Sequence, residues 1–474
     1  MRILVPLAAL LLATTAHAAP SPEDVRTAEA LRDRALAGSG AFQIVESLTT
    51  EVGPRLAGTP AEARARDWAV ARMRALGLRN VHVEPFTVPG WVRGVETAQV
   101  TAPVPQRLVI TALGHSGATP PGGLDAEVVG FASMAAFREA TPAQVAGKIV
   151  FITHRMGVTQ DGSSYGAFNA IRTRAPALAS RMGAAAIVIR SLGTDNHRVP
   201  HTGVTIWQAG GPRPPGGRAA EGVDAKPIPA AAMSVPDSEL MERLLARGPV
   251  RLHLVLTPRF TGPSPCGNVV GEIPGTERPN EIVLIGGHLD SWDLGTGAID
   301  DGTGVAVTMA AAKLIADHGA ARRTIRVVAW GAEEIGLNGG VAYAAAHGHD
   351  QHILAAEDDF GGARAWKLDT RVNAAALPTV TAMARVLLPL GIPLGSNDGG
   401  YESDLGPLAA FGVPVLDFAQ DGTGYFALHH TADDTLDKVD ANALDQTVAA
   451  YAAMVWMAAN SDATFGPAAP EASR

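Results

Sequence analysis

Histidines and carboxylates follow the apolar segments in the second half of the chain that read as buried strands. Ile282–Ile285 leads into Gly286-Gly287-His288-Leu289-Asp290, and the next loop ends in Asp300-Asp301-Gly302, which opens a helix. Thr324–Trp330 leads into Glu333-Glu334, and Ile353–Ala356 into Glu357-Asp358-Asp359. Val413–Phe418, after a Gly-rich loop, leads into His429-His430. Any one of these alone is ordinarily a turn, a cap or solvated surface. Their joint placement after successive strands spells a metal centre at the rim of a sheet. Imidazole plus carboxylate without thiolate suits zinc and tolerates cobalt or manganese. An Asp two residues after His288 can accept the imidazole N–H and fix which nitrogen faces the metal. Asp300, near a helix N-terminus, can bridge two ions with its two oxygens. Glu333 and Glu334 are adjacent, so one can ligate while the other stays free as a general base. Two zinc ions about 3.5–4 Å apart share one water and lower its pKa toward about 7. A free carboxylate beside them takes its proton and later delivers it to a leaving amine. That chemistry is hydrolysis of a carbonyl bond, most naturally an amide.

Composition narrows the alternatives. Among 474 residues, 38 Lys and Arg stand against 47 Asp and Glu, a formal charge of −9. This is the wrong sign for a nucleic-acid partner. A 47% hydrophobic and 18% charged chain folds rather than staying disordered. Cys266 is the single cysteine, so neither an internal disulfide nor a Cys-based zinc site is available. Metal ligands must come from 14 histidines and the carboxylates. Residues 1–18 read as a signal peptide: Arg2, an apolar run from Ile3 to Ala13, then Ala16-His17-Ala18 as an A-x-A cleavage site. No later run reaches the roughly 18 uncharged apolar residues of an integral membrane segment. The expectation is a protein exported through the signal peptide, periplasmic or secreted, starting near Ala19.

The elements that must position these residues follow from caps and periodicity. Pro22–Leu36 reads as a helix capped by Ser21, Ala41–Glu51 as a second, and Pro60 opens a third with Thr59 and Glu62 as a capping box. Val81–Phe86 alternates as a strand. Residues 98–255 change texture. Short strand-like runs (Leu108–Leu113, Ile149–Thr153, Ala185–Ile189, Val250–Leu256) alternate with Gly/Pro turns, and no catalytic cluster is evident. From about 266 strands alternate with helices at Val305–Ile315, Asn338–Ala346 and Ala441–Ala459. This pattern predicts an α/β fold with a mostly parallel central sheet flanked by helices. The predicted main domain is discontinuous, 19–97 and 256–460. A β-rich domain, 98–255, is inserted in it, and 461–474 form a flexible tail.

The series GGHLDSWDLGTGAIDDGTG (286–304), WGAEEIGLNGG (330–340), EDD (357–359) and HHTADDTLD (429–437) resembles the co-catalytic dizinc peptidases of family M28, in particular its carboxypeptidase Q branch. GPRLAGTP (53–60) shares the likeness, and AGKIVFI (146–152) with ALASRMGAAAIVIR (177–190) looks like a protease-associated (PA) domain. The resemblance implies that Asp300 bridges two zinc ions, His288 and Asp359 complete one site, and Glu334 and His430 the other. It implies Glu333 as general base and Asp290 behind His288. Asp300 is preferred to Asp301 because it stands twelve residues after His288. Asp359 is preferred to Asp358 as the last residue of a Glu-x-Asp, and His430 to His429 because it directly precedes Thr431. Some aminopeptidases of the family place a Tyr oxyanion donor near the position of Tyr401. The spacing differs here, and a loop aromatic is the favoured reading. Trp292 either walls the pocket or packs. His347, His349 and His352 read as solvated or capping residues, and Cys266 as a small apolar residue at the start of a strand. The expected function is an exported dizinc exopeptidase of short peptides or dipeptides, whether aminopeptidase, dipeptidase or carboxypeptidase Q-like. The expected partners are a short peptide substrate and, from the branch, a second copy in a homodimer. The alternatives are a single-zinc glutaminyl cyclase-like acyltransferase and an inactive receptor-like binding protein of the same fold.

Overall fold

A computed structural model describes residues 20–208, 224–401 and 403–468; the signal peptide expected at 1–18 lies outside the described residues. Seven strands make the main sheet: β1 (Arg79–Val92), β2 (Arg259–Ile273), β3 (Arg278–His288), β4 (Arg323–Trp330), β5 (Gln351–Glu357), β6 (Ala365–Arg371) and β7 (Val415–Gln420). Their spatial order is β1-β2-β4-β3-β5-β7-β6. The sheet is mixed rather than mostly parallel. Only the central β4, β3, β5 and β7 run parallel, while β1, β2 and β6 pair antiparallel at the flanks. The reason at one flank is plain: β1 and β2 are the two arms of one long ribbon, which can only pair antiparallel.

The central strands alternate between two apolar clusters, as a sheet covered on both faces requires. Val283 and Ile285 of β3, Ile325 and Val327 of β4, and Leu354 and Ala356 of β5 face one cluster. That cluster also takes α1 (Pro22–Leu36), α2 (Ala41–Glu51), α3 (Pro60–Ala75), α4 (Thr303–His318) and α6 (Ala441–Asn460). Ile282, Leu284, Val328, Trp330 and Ala355 face the other, with Tyr343 and Ala344 of α5 (Asn338–His347). Ser21 caps α1 by accepting from the Asp24 N–H at 3.0 Å. The expected capping box of α3 is only half formed. Thr59 accepts from the Glu62 N–H at 3.4 Å, but the buried Glu62 carboxylate turns to Arg66 at 2.7 Å. Among the described residues no helix is long and apolar enough to cross a membrane.

A second sheet of eight strands is built entirely from residues 96–256 and sits on the far end of the β1–β2 ribbon. Its Ile149–Ile152 and Ala186–Arg190 are buried along their whole length. The two bodies share an apolar cluster. Val88 and Trp91 of the ribbon and Leu56, Trp292 and Ile335 of the main body pack in it with Val100, Val188 and Leu252 of the second body.

Three expectations on local placement are corrected. Residues 461–468 are not a loose tail. Phe465 is buried, and its carbonyl accepts from the Asn373 N–H at 2.8 Å; residues 469–474 lie outside the described residues. Cys266 lies in the middle of β2, paired across the ribbon with Phe86, rather than at the start of a strand. In the histidine cluster His352 is buried on the Tyr343 hydroxyl at 3.0 Å, while His347 bonds Glu84 and Asp350, each at 2.9 Å. It is a structural network away from the metal-type residues.

The end of α6 is held by Arg323, which is buried and donates to the carbonyls of Ala458, Ser461 and Ala463 while pairing with Glu281. Arg323→Met leaves those carbonyls without donors, at about 1–3 kcal/mol for each group left unsatisfied. The expected outcome is an unfolding free energy lowered by roughly 3 kcal/mol or more in total, read as a lower urea midpoint, with faster amide exchange across 461–468. An unchanged midpoint would show that these bonds add nothing to stability.

Candidate metal centre

Each carboxyl end of the parallel strands delivers part of one site. β3 ends on His288, β4 runs into Glu333 and Glu334, β5 into Asp359, and the loop after β7 carries His430. His288 Nε2 lies 3.1 Å from Asp300 Oδ1 and 3.1 Å from Asp359 Oδ1. The other oxygen of Asp300 lies 3.4 Å from His430 Nε2, and Glu334 Oε2 lies 2.9 Å from the same nitrogen. The five residues expected as ligands therefore converge, with Asp300 between the two halves. Asp301 lies close enough to His288 and Asp359 to share an ion with them, but it is also engaged by the backbone. Its two oxygens accept from the backbone N–H groups of His288 and Gly304, each at 2.8 Å. His429 stacks on His430 with ring centroids 3.5 Å apart, and its Nε2 lies 3.7 Å from Asp300.

Asp290 stands behind His288 in a different manner from that expected. The His288 Nδ1 bond goes to the Asp290 backbone carbonyl at 3.0 Å, and the carboxylate lies farther off at 3.8 Å. That carboxylate instead accepts from the Glu333 N–H at 3.0 Å, fixing the turn that carries both glutamates. The Tyr401 hydroxyl donates to the Val413 carbonyl at 2.8 Å, which ties it to structure. Trp292 packs against His430 at 5.9 Å between ring centroids and against Gly114 of the second body. It belongs to the junction rather than to the cleft lining.

A model of peptidase family M28 matches residues 268–455. Carboxypeptidase Q of Bos taurus is 32% identical over 425 residues, 88% of this chain and 85% of that protein. The chain belongs to peptidase family M28. A Peptidase M28 precursor from Shewanella amazonensis, known as a crystal structure, has a TM-score of 0.89 at 44% identity, over 94% of this chain and 99% of that one. A zinc aminopeptidase from Bacillus subtilis shares the fold, with a TM-score of 0.61 at 22% identity over 89% of this chain and 95% of that one. Membership makes this M28 chain a zinc metallopeptidase.

The donor set fits zinc. Asp300 Oδ2 and Glu334 Oε1 are buried without a hydrogen-bond partner, as are Asp290 Oδ2 and Glu357 Oε1. Buried carboxylate oxygens left bare call for a cation. Burial pushes Glu333 up to about 8, Asp358 up to about 8 and Asp434 up to about 7, and raises Glu334 well above the ordinary range. Burial raises Asp300 too, but its bond to His288 and the nearby imidazoles leave it below the ordinary value.

Four supporting groups carried no sequence signal strong enough to be singled out. Arg55, fully buried, donates to the carbonyls of Leu289, Thr296 and Gly297 and so shapes the loop between His288 and Asp300. Its only hint was its place in the GPRLAGTP stretch (53–60). Asp434 accepts from the Ile299 N–H at 2.6 Å and the Asp300 N–H at 3.3 Å. The Ser403 hydroxyl donates to Glu333 Oε1. The fourth is the second body itself. The Thr202 N–H donates to the His430 carbonyl at 3.0 Å, and the Thr202 carbonyl lies 3.2 Å from His430 Nδ1. His430 has a left-handed backbone, φ 63°, which these contacts hold in place. Tyr165, Asn169 and Arg172 of the helix Ser163–Thr173 line the same cleft, a cavity of about 420 Å³.

The raised carboxyls give a signed pH dependence. They hold protons more tightly folded than unfolded, while the buried histidines His115, His154, His352 and His429, pushed down to about 3–4, act the other way below about 6.5, so the metal-free fold loses stability as pH rises from about 6.5 through about 8. Calorimetry on chelator-stripped protein is expected to show a falling Tm across that window, and the Tm gain on adding zinc should grow with pH. A metal-free Tm that is flat or rising there would contradict the assigned burial of charge.

Proposed function

We propose that the protein is an exported dizinc exopeptidase that hydrolyses short peptides or dipeptides. The observation that supports it most is the convergence of His288, Asp300, Glu334, Asp359 and His430, with Glu333 beside them and the oxygens of Asp300 facing both halves. In this reading Asp300 is shared by two zinc ions, His288 and Asp359 hold one, and Glu334 and His430 the other. When bound, the ions polarise the scissile carbonyl and acidify a water.

The chain's own residues supply the rest. Glu333 takes a proton on Oε2 and returns it to the leaving amine. Ser403, donating to Oε1, holds the carboxylate in one orientation. Asp290 acts through the Glu333 N–H and by its charge behind His288. The cleft, walled on one side by the second body, suits a few residues of peptide rather than a folded protein. The reading includes a PA-like inserted domain over 98–255, a signal peptide over 1–18 and a homodimer. The first rests on the separate second sheet, the second on the sequence pattern, and the third on the branch resemblance.

Glu333→Gln is expected to keep both metals and lose kcat by roughly 10²–10⁴-fold, the usual worth of a positioned base. Hydrolysis of an unblocked dipeptide at the parental rate would remove Glu333 from that role. Asp300→Ala is expected to lose zinc, read by metal analysis after gel filtration. Two ions per chain still bound would exclude the shared ligand, and one ion per chain in the parent would favour the cyclase-like reading.

A further inference from the structure

Arg172 is a buried cation without a counter-charge among the described residues. It is 6% exposed, yet no carboxylate among the described residues lies within ion-pair distance of it. Its Nη1 lies 3.1 Å from His430 Nδ1 and 3.5 Å from the Thr202 carbonyl, its plane lies over the Tyr165 ring at 5.5 Å, and its Nε has no partner. A guanidinium taken out of water without an anion is costly, so such a residue is retained for an anion that arrives. Among the described residues, the carboxylates lining the cleft already have tasks in the reading above. Asp300, Glu334 and Asp359 face the metal positions, and Glu333 is the base. Among the described residues, none of these is free to neutralise Arg172.

Its surroundings are built to hold it. Gly203, with φ +134°, lies against the guanidinium, and any Cβ there would collide with it. Arg172 shares a helix face with Tyr165 and Asn169, at spacings of seven and three residues. All three line the cleft, and Asn169 Oδ1 is a second buried atom without a partner.

Resting on the peptidase reading, we infer that Arg172 recognises the free carboxyl terminus of the substrate. A guanidinium offers paired N–H donors to a carboxylate, which a neutral amide terminus cannot match in charge. The specificity group then comes from the second body, while the zinc-binding residues come from the main body. The terminus that is read is the carboxyl one.

The test compares kcat/KM of zinc-loaded enzyme on three peptides: Ala-Ala, Ala-Ala-amide and Ala-Glu-amide. Metal content is measured for every variant. The parent is expected to favour Ala-Ala over its amide. Arg172→Gln should bring the acid-to-amide ratio down by on the order of 10- to 100-fold, the range for a lost charge-assisted hydrogen bond. Arg172→Lys should recover part of the ratio. A merely structural Arg172 would lower both substrates together and leave the ratio unmoved, which would overturn the inference. So would a parent enzyme indifferent to amidation, a result that needs no variant to fold. A preference for Ala-Glu-amide over Ala-Ala-amide that disappears in Arg172→Gln would move the recognised carboxylate to a side chain and overturn the terminal assignment. Failure to cleave any of the three would instead bring down the peptidase reading itself.

Discussion

The constraint on which this molecule depends is the burial of many carboxylates around one point. Asp290, Asp300, Asp301, Glu334, Glu357, Asp358, Asp404 and Asp434 are all nearly inaccessible to water. In a medium of low effective dielectric, that much like charge cannot persist without protons, hydrogen bonds or cations. The structure uses all three. Backbone N–H groups satisfy both oxygens of Asp301 and anchor Asp434, Arg55 stands beside them as a buried cation, and burial shifts several of the acids toward protonation. Zinc meets the remaining need. Folding and metal loading are thus coupled through electrostatics as well as through ligand geometry.

That constraint explains why supporting residues sit far away in sequence. The loop between His288 and Asp300 turns the carbonyls of Leu289, Thr296 and Gly297 toward one buried point. Arg55 reaches across from the first third of the chain to bind three of those carbonyls. His430 is likewise held by Thr202, from the other body. The centre is therefore a product of the whole tertiary structure, and no contiguous stretch of the chain could assemble it.

Much of this was legible in the sequence. Strand ends followed by His or carboxylate pointed to one rim for His288, the Glu333-Glu334 pair, the Glu357–Asp359 run and the His429-His430 pair, because parallel strands must all end on the same side; the preference for Asp359 and His430 came from the family resemblance alone. Caps located α1 to the residue, because Ser21 and Pro22 leave little choice. What stayed hidden has physical causes. The antiparallel flanks depend on which strands become neighbours, and apolar runs do not report that. The half-formed cap at Glu62 was lost to a competing ion pair with Arg66. The second body looked inert because its contributions, a backbone carbonyl and one arginine, carry no motif. The buried Phe465 was missed because a single aromatic in a Pro/Gly-rich tail gives no period to read.

The way in and out of the second body deserves a last consequence. Val92 and Arg259 are paired neighbours at the tip of the ribbon, so the chain leaves and re-enters the main body at a single point. Closing a loop at such a point costs the main fold an entropy that grows only logarithmically with the length enclosed. The intervening positions, 93–258, can then vary as a cassette wherever they do not touch the main body, as Thr202 does. Lineages can redraw the wall of the cleft, and with it the menu of acceptable peptides, while the ligand-bearing strands stay untouched. The contacts of Thr202 and Arg172 with His430 tie that cassette to the ligand set itself.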